Sequence, residues 1–185
     1  MMKENQRTAL TKQRLQHALL RLLKTHAIHQ ISIRELCLEA EINRTTFYNH
    51  YGSQYELLRD ISQRYLDAIA DCLHAADATS RESIQRRVVL VLRYIAENIE
   101  LSALLFNNNV DPDFAERLFS LPQITDLLDA ALAGCTDPGE KQATIAFAIH
   151  GSCKLLRDWI NTPHPISPEA QTALILRLAR RVCRE

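Results

Sequence analysis

The sequence predicts an all-α protein. Three observations carry this. Glycine is scarce, four in 185 residues, so few positions interrupt regular backbone. The segments between breakers are dominated by Leu, Ala, Glu, Arg and Gln, all good helix formers. Alternating β-branched runs, the mark of half-buried strands, are missing. A hydrophobic content of 46% is ample for a core, and the length allows one large domain or a small domain plus a medium one.

The first helix is expected over residues 8–26, where Leu15, Leu19, Leu22 and Leu23 fall at helical spacing with Ala18 beside them. Ser32, with Glu35 three residues on, is a capping-box pattern opening a second helix. Its buried stripe is Ile33, Leu36, Cys37 and Ala40, and it stops after about two turns. Asn43 is placed to cap a third helix starting at Arg44, in which Phe47 and Tyr51, four apart, share the inner face. Gly52 closes it. Ser53, with Glu56 at the box position, opens a long fourth helix running to about Ala76, with Leu57, Leu58, Ile61, Tyr65, Leu66 and Ile69 inside. The first 50 residues are thus three helices, the last two joined by a tight turn, which is a helix-turn-helix layout.

Helices continue beyond. Ser80 or Ser83 opens one containing Val88, Leu92 and Ile95; "ENIELSALLF" bends it, and "NNNVDPD" is a loop. Short helices are expected over residues 113–119 and in "LPQITDLLDAALAG", the latter ending at Gly134. Asp137-Pro138 opens a long apolar helix to about residue 160. A Pro-rich connection leads to a last helix with Ser167 as cap and Pro168 at its first position.

The net charge is zero, but it is unevenly spread. Residues 1–55 carry eight Lys/Arg against four acids, with His17, His26, His29 and His50 besides; the rest holds 14 basic and 18 acidic side chains. A basic first third on an acidic remainder fits two jobs on one chain. Cys37, Cys72, Cys135, Cys153 and Cys183 are odd in number and form no C-x-x-C pair, so they read as reduced, mostly buried thiols, with Cys72 or Cys153 left as possible sensors. No Cys/His set has metal spacing, and no metal or cofactor is expected. No leader pattern or membrane-spanning apolar run is seen, so the protein is expected to be cytoplasmic. Neither G-x-S-x-G nor a phosphate loop nor usefully paired carboxylates occur, and His150 with Cys153 has no evident orienting partner, so an enzyme is not expected.

The chemistry concentrates in "NRTTFYNHY", residues 43–51. On a helix, Phe47 and Tyr51 turn inward, while Arg44, Thr45, Tyr48 and Asn49 spread over the opposite faces and Thr46 and His50 lie on the flanks. A short second helix of this kind suits the DNA major groove. Arg44 has the fork to read guanine with two bonds, and Thr45 suits a thymine methyl or a base edge. Thr46, Tyr48 and His50 are donors for phosphates, as is Ser32 at the start of the preceding helix. Arg34 and the basic first helix add sequence-independent attraction.

These residues carry a resemblance. "ISIRELCLEAEINRTTFYNHYGSQYELL" is similar to the signature of the tetracycline-repressor (TetR/AcrR) family, above all in "RTTFYNHY" and in the Ser-x-x-x-Leu-Leu that opens the fourth helix. The similarity covers about residues 8–60, and "IHGSCKLLRDWINTPHPISPEAQTALILRL" also resembles the last two helices of one branch. It implies a helix-turn-helix DNA-binding domain, residues 1–52, and a helical effector-binding and dimerisation domain, residues 53–185. It further implies a transcription regulator, most often a repressor, that binds a palindromic double-stranded operator as a homodimer and is released by a small molecule. Carried over by position, Arg44, Thr45, Tyr48 and Asn49 face the groove, and Ser32, Thr46 and His50 contact phosphates. Two departures stand out. Glu41 occupies a turn position where the family commonly has Gly, so it must take a strained conformation or the turn must differ; Gln54 stands where Lys is frequent.

For the dimer, the last two helices offer Ala146, Trp159, Leu174 and Leu178. For a pocket, the polar or aromatic candidates are Tyr65, Tyr94, Asn107, Phe147, His150 and Arg157. The competing expectation is a regulator whose C-terminal domain answers to a partner protein; an enclosed apolar cavity separates the two from an exposed apolar patch.

Overall fold

A computed structural model of the chain describes residues 2–74, 81–107, 110–132, 136–163 and 165–182. Among these it contains ten α-helices and no strand: α1 (Met2–Leu23), α2 (Ile33–Glu39), α3 (Arg44–Tyr48), α4 (Gln54–His74), α5 (Arg81–Glu97), α6 (Ile99–Phe106), α7 (Phe114–Phe119), α8 (Pro122–Ala131), α9 (Pro138–Asn161) and α10 (Pro168–Val182). Ser80, Gly134, Cys135 and Cys183, which entered the sequence reading, lie outside the described residues.

Two compact units divide the chain within α4, the first running to Tyr65 and taking in residues 110–112 as well, the second beginning at Leu66. The expected domain boundary, after residue 52, lies earlier. The difference has a packing cause: the first half of α4 sends Leu57, Leu58, Ile61 and Tyr65 into buried positions of the first unit.

In the first unit, α1 starts earlier than its apolar stripe and stops at Leu23 rather than at residue 26. The amides of Lys24 and Thr25 bond three residues back, to Arg21 and Leu22, a 3-10 tightening that ends the helix. A single 3-10 turn, Ile28–Gln30, leads to α2. Leu15, Leu19, Leu36 and Phe47 are fully buried, and α2 packs on both α1 and α3. Arg21 pins α1 to α2, its Nε 2.6 Å from a Glu39 carboxylate oxygen and its Nη2 donating to the Glu39 carbonyl at 3.2 Å.

In the second unit, α5 packs on α10, α6 on α9, and α10 on α9. The bend between α5 and α6 falls at Asn98, as "ENIELSALLF" foretold, and the buried Ser102 hydroxyl lies 3.0 Å from the Ile95 carbonyl and 2.9 Å from that of Asn98. Asp137 caps α9 by accepting from the Gly139 and Glu140 amides, at 2.7 and 3.1 Å. Ser167 caps α10 by accepting from Ala170, and Arg93 of α5 bonds Glu169 of α10 at 2.7 Å. The core gathers Leu92, Ile95, Leu105, Leu156, Trp159 and an edge-to-face pair, Phe106 and Phe114, with centroids 5.2 Å apart.

Candidate nucleic-acid interface

The exposed face of α3 is built by the turn before it. After α2, the Ile42 amide donates to the Cys37 carbonyl at 3.0 Å and the Glu41 amide to the Leu38 carbonyl at 3.2 Å. These are the two bonds of a Schellman ending, which needs a left-handed residue between helix and loop. That residue is Glu41, with φ 54°, the only non-glycine residue at positive φ among those described. The strain expected there from the absent glycine is present.

Both caps expected at the two helix starts form. Ser32 accepts the Glu35 amide at 3.2 Å, and Glu35 accepts from the Ser32 amide at 3.0 Å and its hydroxyl at 2.8 Å. These bonds hold the Glu35 carboxyl below its ordinary range, the backbone bond from Ser32 contributing most. Asn43 accepts the Thr46 amide at 2.7 Å and fixes the first turn of α3. Glu56 accepts from the Gly52 amide at 2.7 Å, and its own amide donates to Ser53 at 3.3 Å, starting α4.

Phe47 is wholly buried and Tyr51 nearly so, their ring centroids 6.1 Å apart. Their burial turns Arg44, Thr45, Tyr48 and Asn49 outward: all four are exposed, Tyr48 at 58%, while Thr46 and His50 are half-buried on the flanks. Ser32 and Arg34, at the start of α2, are exposed as well. The structure therefore presents the eight sequence-derived positions on two successive short helices, four of them on one outward face of α3 and its C-cap.

A network that the sequence reading missed holds this face in place. The Tyr51 hydroxyl donates to Asp60 Oδ2 at 2.6 Å, and Arg64, one turn on, lies 2.9 Å from the same oxygen. The Lys12 ammonium of α1 sits 5.4 Å from the Tyr51 ring centroid. Burial, and then the bond to Asp60, raise the Tyr51 pKa well above 10.0. The signal available beforehand was the Asp60–Arg64 spacing on α4; nothing local ties it to Tyr51.

Within the second unit a cavity of about 420 Å³ lies among α4, α5, α7, α8, α9 and α10. Its walls are aliphatic, including Leu73, Val88, Leu92, Leu128, Ile149 and Ile175, with Phe119, Ser152 and Arg180 besides. None of the six pocket residues expected from the sequence lines it. Tyr65 is buried in the first unit. Asn107 pairs with Asn161 at 3.1 Å, and Arg157 donates to the Phe106 carbonyl at 2.9 Å, so both tie α6 to α9. Phe147 is 67% exposed and His150 is exposed, on the outer face of α9. Tyr94 is half-buried, its hydroxyl pKa raised by burial. The walls of this cavity are apolar stripes, which in sequence are indistinguishable from core.

Of the expected dimer residues, Ala146 is exposed and Leu174 and Leu178 are half-buried. Trp159 is 6% exposed and its indole N–H donates to the Ile166 carbonyl of its own chain at 2.7 Å, so within the chain it anchors the α9–α10 connection. The thiols of Cys37, Cys72 and Cys153 are each pushed up by burial, away from the reactive thiolate. Among the described residues no three His, Cys, Asp or Glu side chains form a metal-sized group, and no helix is long and apolar enough to cross a membrane.

The chain is similar to known proteins along most of its length. Residues 15–61 match the family described as bacterial regulatory proteins, tetR family, and residues 82–181 match a TetR-type transcriptional regulator C-terminal region. The chain is 32% identical over 111 residues to the HTH-type dhaKLM operon transcriptional activator DhaS of Lactococcus lactis, a match spanning 60% of this chain and 54% of that protein. A solved dihydroxyacetone kinase operon activator DhaS is 26% identical, with TM-score 0.59, covering 91% of this chain and 93% of that one. A TetR transcriptional regulator from Streptococcus agalactiae shares the fold at TM-score 0.71 and 20% identity, over 96% and 98% of the two chains. The chain belongs to the TetR family of transcriptional regulators.

Proposed function

We propose that the protein binds a palindromic DNA operator as a homodimer through the exposed face of α3, and that a small molecule bound in the second unit releases it. The observation that carries the DNA part is the outward set Arg44, Thr45, Tyr48 and Asn49, held by buried Phe47 and Tyr51. Arg44 reads guanine bidentately, Thr45 takes an adjacent base edge, and Ser32, Thr46 and His50 meet phosphates, with Arg34 adding charge. The dimer forms through α9 and α10. The outer face of α9 supports this, since Ala146, Phe147, His150 and Gly151 are exposed at helical spacing. Open space surrounds Gly151 where a side chain would start, so a second helix has room to approach closely.

The role of the Lactococcus relative, an operon activator, favours a second reading in which this chain activates transcription. Two measurements decide. Sedimentation of the purified protein at micromolar concentration should give a dimer, and two protomers per bound duplex; a persistent monomer overturns the two-fold reading. Transcription in vitro from a bound promoter should fall on adding the protein; a rise establishes activation instead.

A further inference from the structure

We propose that the cavity of the second unit takes an elongated lipophilic anion, a medium-chain carboxylate in chemical class, with its chain among the aliphatic walls and its charged head at Arg180. This rests on the reading of the second unit as effector-binding and names the ligand class.

Size sets the first limit. At about 30 Å³ for a group the size of a water molecule, 420 Å³ accommodates on the order of a dozen carbon-sized groups. Wall chemistry sets the second. Among the lining residues only Ser152 and Arg180 carry a polar side-chain group, and most wall residues lie inside helices, where the backbone is hydrogen-bonded; the last turns, at Leu118, Phe119, Ala179 and Arg180, offer carbonyl acceptors and no donors. A sugar or polyol would lose its water without gaining partners. Charge sets the third. No acidic side chain lines the cavity, so an ammonium would be buried uncompensated, whereas an anion meets one guanidinium. Arg180 is exposed in the last turn of α10, while Leu176 and Ala179 beside it line the cavity. It is tethered by its Nε, which donates to the Leu176 carbonyl at 2.9 Å. No ion pair among the described residues involves it, and a guanidinium offers a carboxylate head two parallel bonds.

The test is displacement of the fluorescent lipophilic probe 8-anilinonaphthalene-1-sulfonate from the full chain by decanoate and, separately, by 1-decanol. Decanoate should displace the probe at a concentration at least tenfold lower than 1-decanol. Arg180→Leu, at an exposed position, should leave the melting temperature in place and erase that difference. Ile175→Trp, which fills the cavity, should abolish decanoate binding while helical circular dichroism is retained. Equal potency of acid and alcohol on the wild-type chain, or decanoate binding unchanged in Ile175→Trp, overturns the proposal. DNA binding is read separately. Decanoate binding that leaves DNA affinity unaltered keeps the ligand class and removes the effector role. DNA binding without any decanoate binding removes the ligand class and leaves the DNA-binding reading in place.

Discussion

Arg44 carries the sharpest expectation at the scale of single residues. It is exposed at the first position of α3, so Arg44→Ala removes little packing, and under the proposed docking it removes a base contact. The loss should be about 1–3 kcal/mol of operator affinity, with relaxed preference at one base pair per half-site, measured by titration against single-substituted duplexes. Phe47 is its opposite. It is wholly buried, and Phe47→Ala should lower the stability of the first unit by about 3–5 kcal/mol in chemical denaturation. Tyr51 sets a pH dependence. Its folded pKa is raised above the ordinary 10.0, so the proton binds the folded state more tightly. The stability it contributes is full below pH 10 and is lost as pH rises beyond it. Tyr51→Phe should flatten that alkaline loss in melting curves and cost about 1 kcal/mol at neutral pH through the missing bond to Asp60. The outward and inward positions of α3 were legible because a helix of fixed period leaves little choice once Phe47 is inside. The Tyr51–Asp60–Arg64 network was not, because it joins positions that only the packing of α3 against α4 brings together.

Among the elements, the turn between α2 and α3 departs from its own chemistry. A Schellman ending favours glycine at the left-handed position, and Glu41 stands there at φ 54°. A left-handed residue with a Cβ costs about 1–2 kcal/mol. Glu41→Gly should therefore raise the stability of the first unit by about 1 kcal/mol, the remainder offset by the greater freedom glycine has when unfolded. It should also strengthen DNA binding at low salt, since one carboxylate leaves the neighbourhood of α3. A melting temperature that falls on this change would show that the turn relies on the Glu41 side chain. Sequence reached this far because the departure lies in one residue of a recognisable turn. Caps were equally readable: Ser32, Asn43, Ser53, Asp137 and Ser167 all accept amides at the helix starts where they were expected. Apolar stripes were less informative. Val88, Ile149 and Ile175 face a cavity and Leu105 a packed core, yet nothing in their spacing separates the two.

For the whole molecule, a basic helix-turn-helix unit and a helical second unit agree with the charge split read along the chain. The dimer is tested on α9, where Phe147 is an exposed aromatic beside Ala146, His150 and Gly151. Phe147→Asp should shift the protein from dimer to monomer at micromolar concentration and weaken operator binding without changing the helical signal. A dimer that survives it would move the interface off that face. Burial within one chain and burial between two look alike in a sequence; the Trp159 bond to Ile166 is a contact within the chain that its spacing did not foretell.

The most direct test of DNA reading by α3 is selection from a random duplex library with the purified protein, run in parallel with Arg44→Ala at one fixed, moderate salt concentration. The expected result is an inverted repeat for the wild-type chain, with the preference lost at one symmetric pair of positions for Arg44→Ala. An unenriched library, or one enriched identically by both proteins, would contradict it.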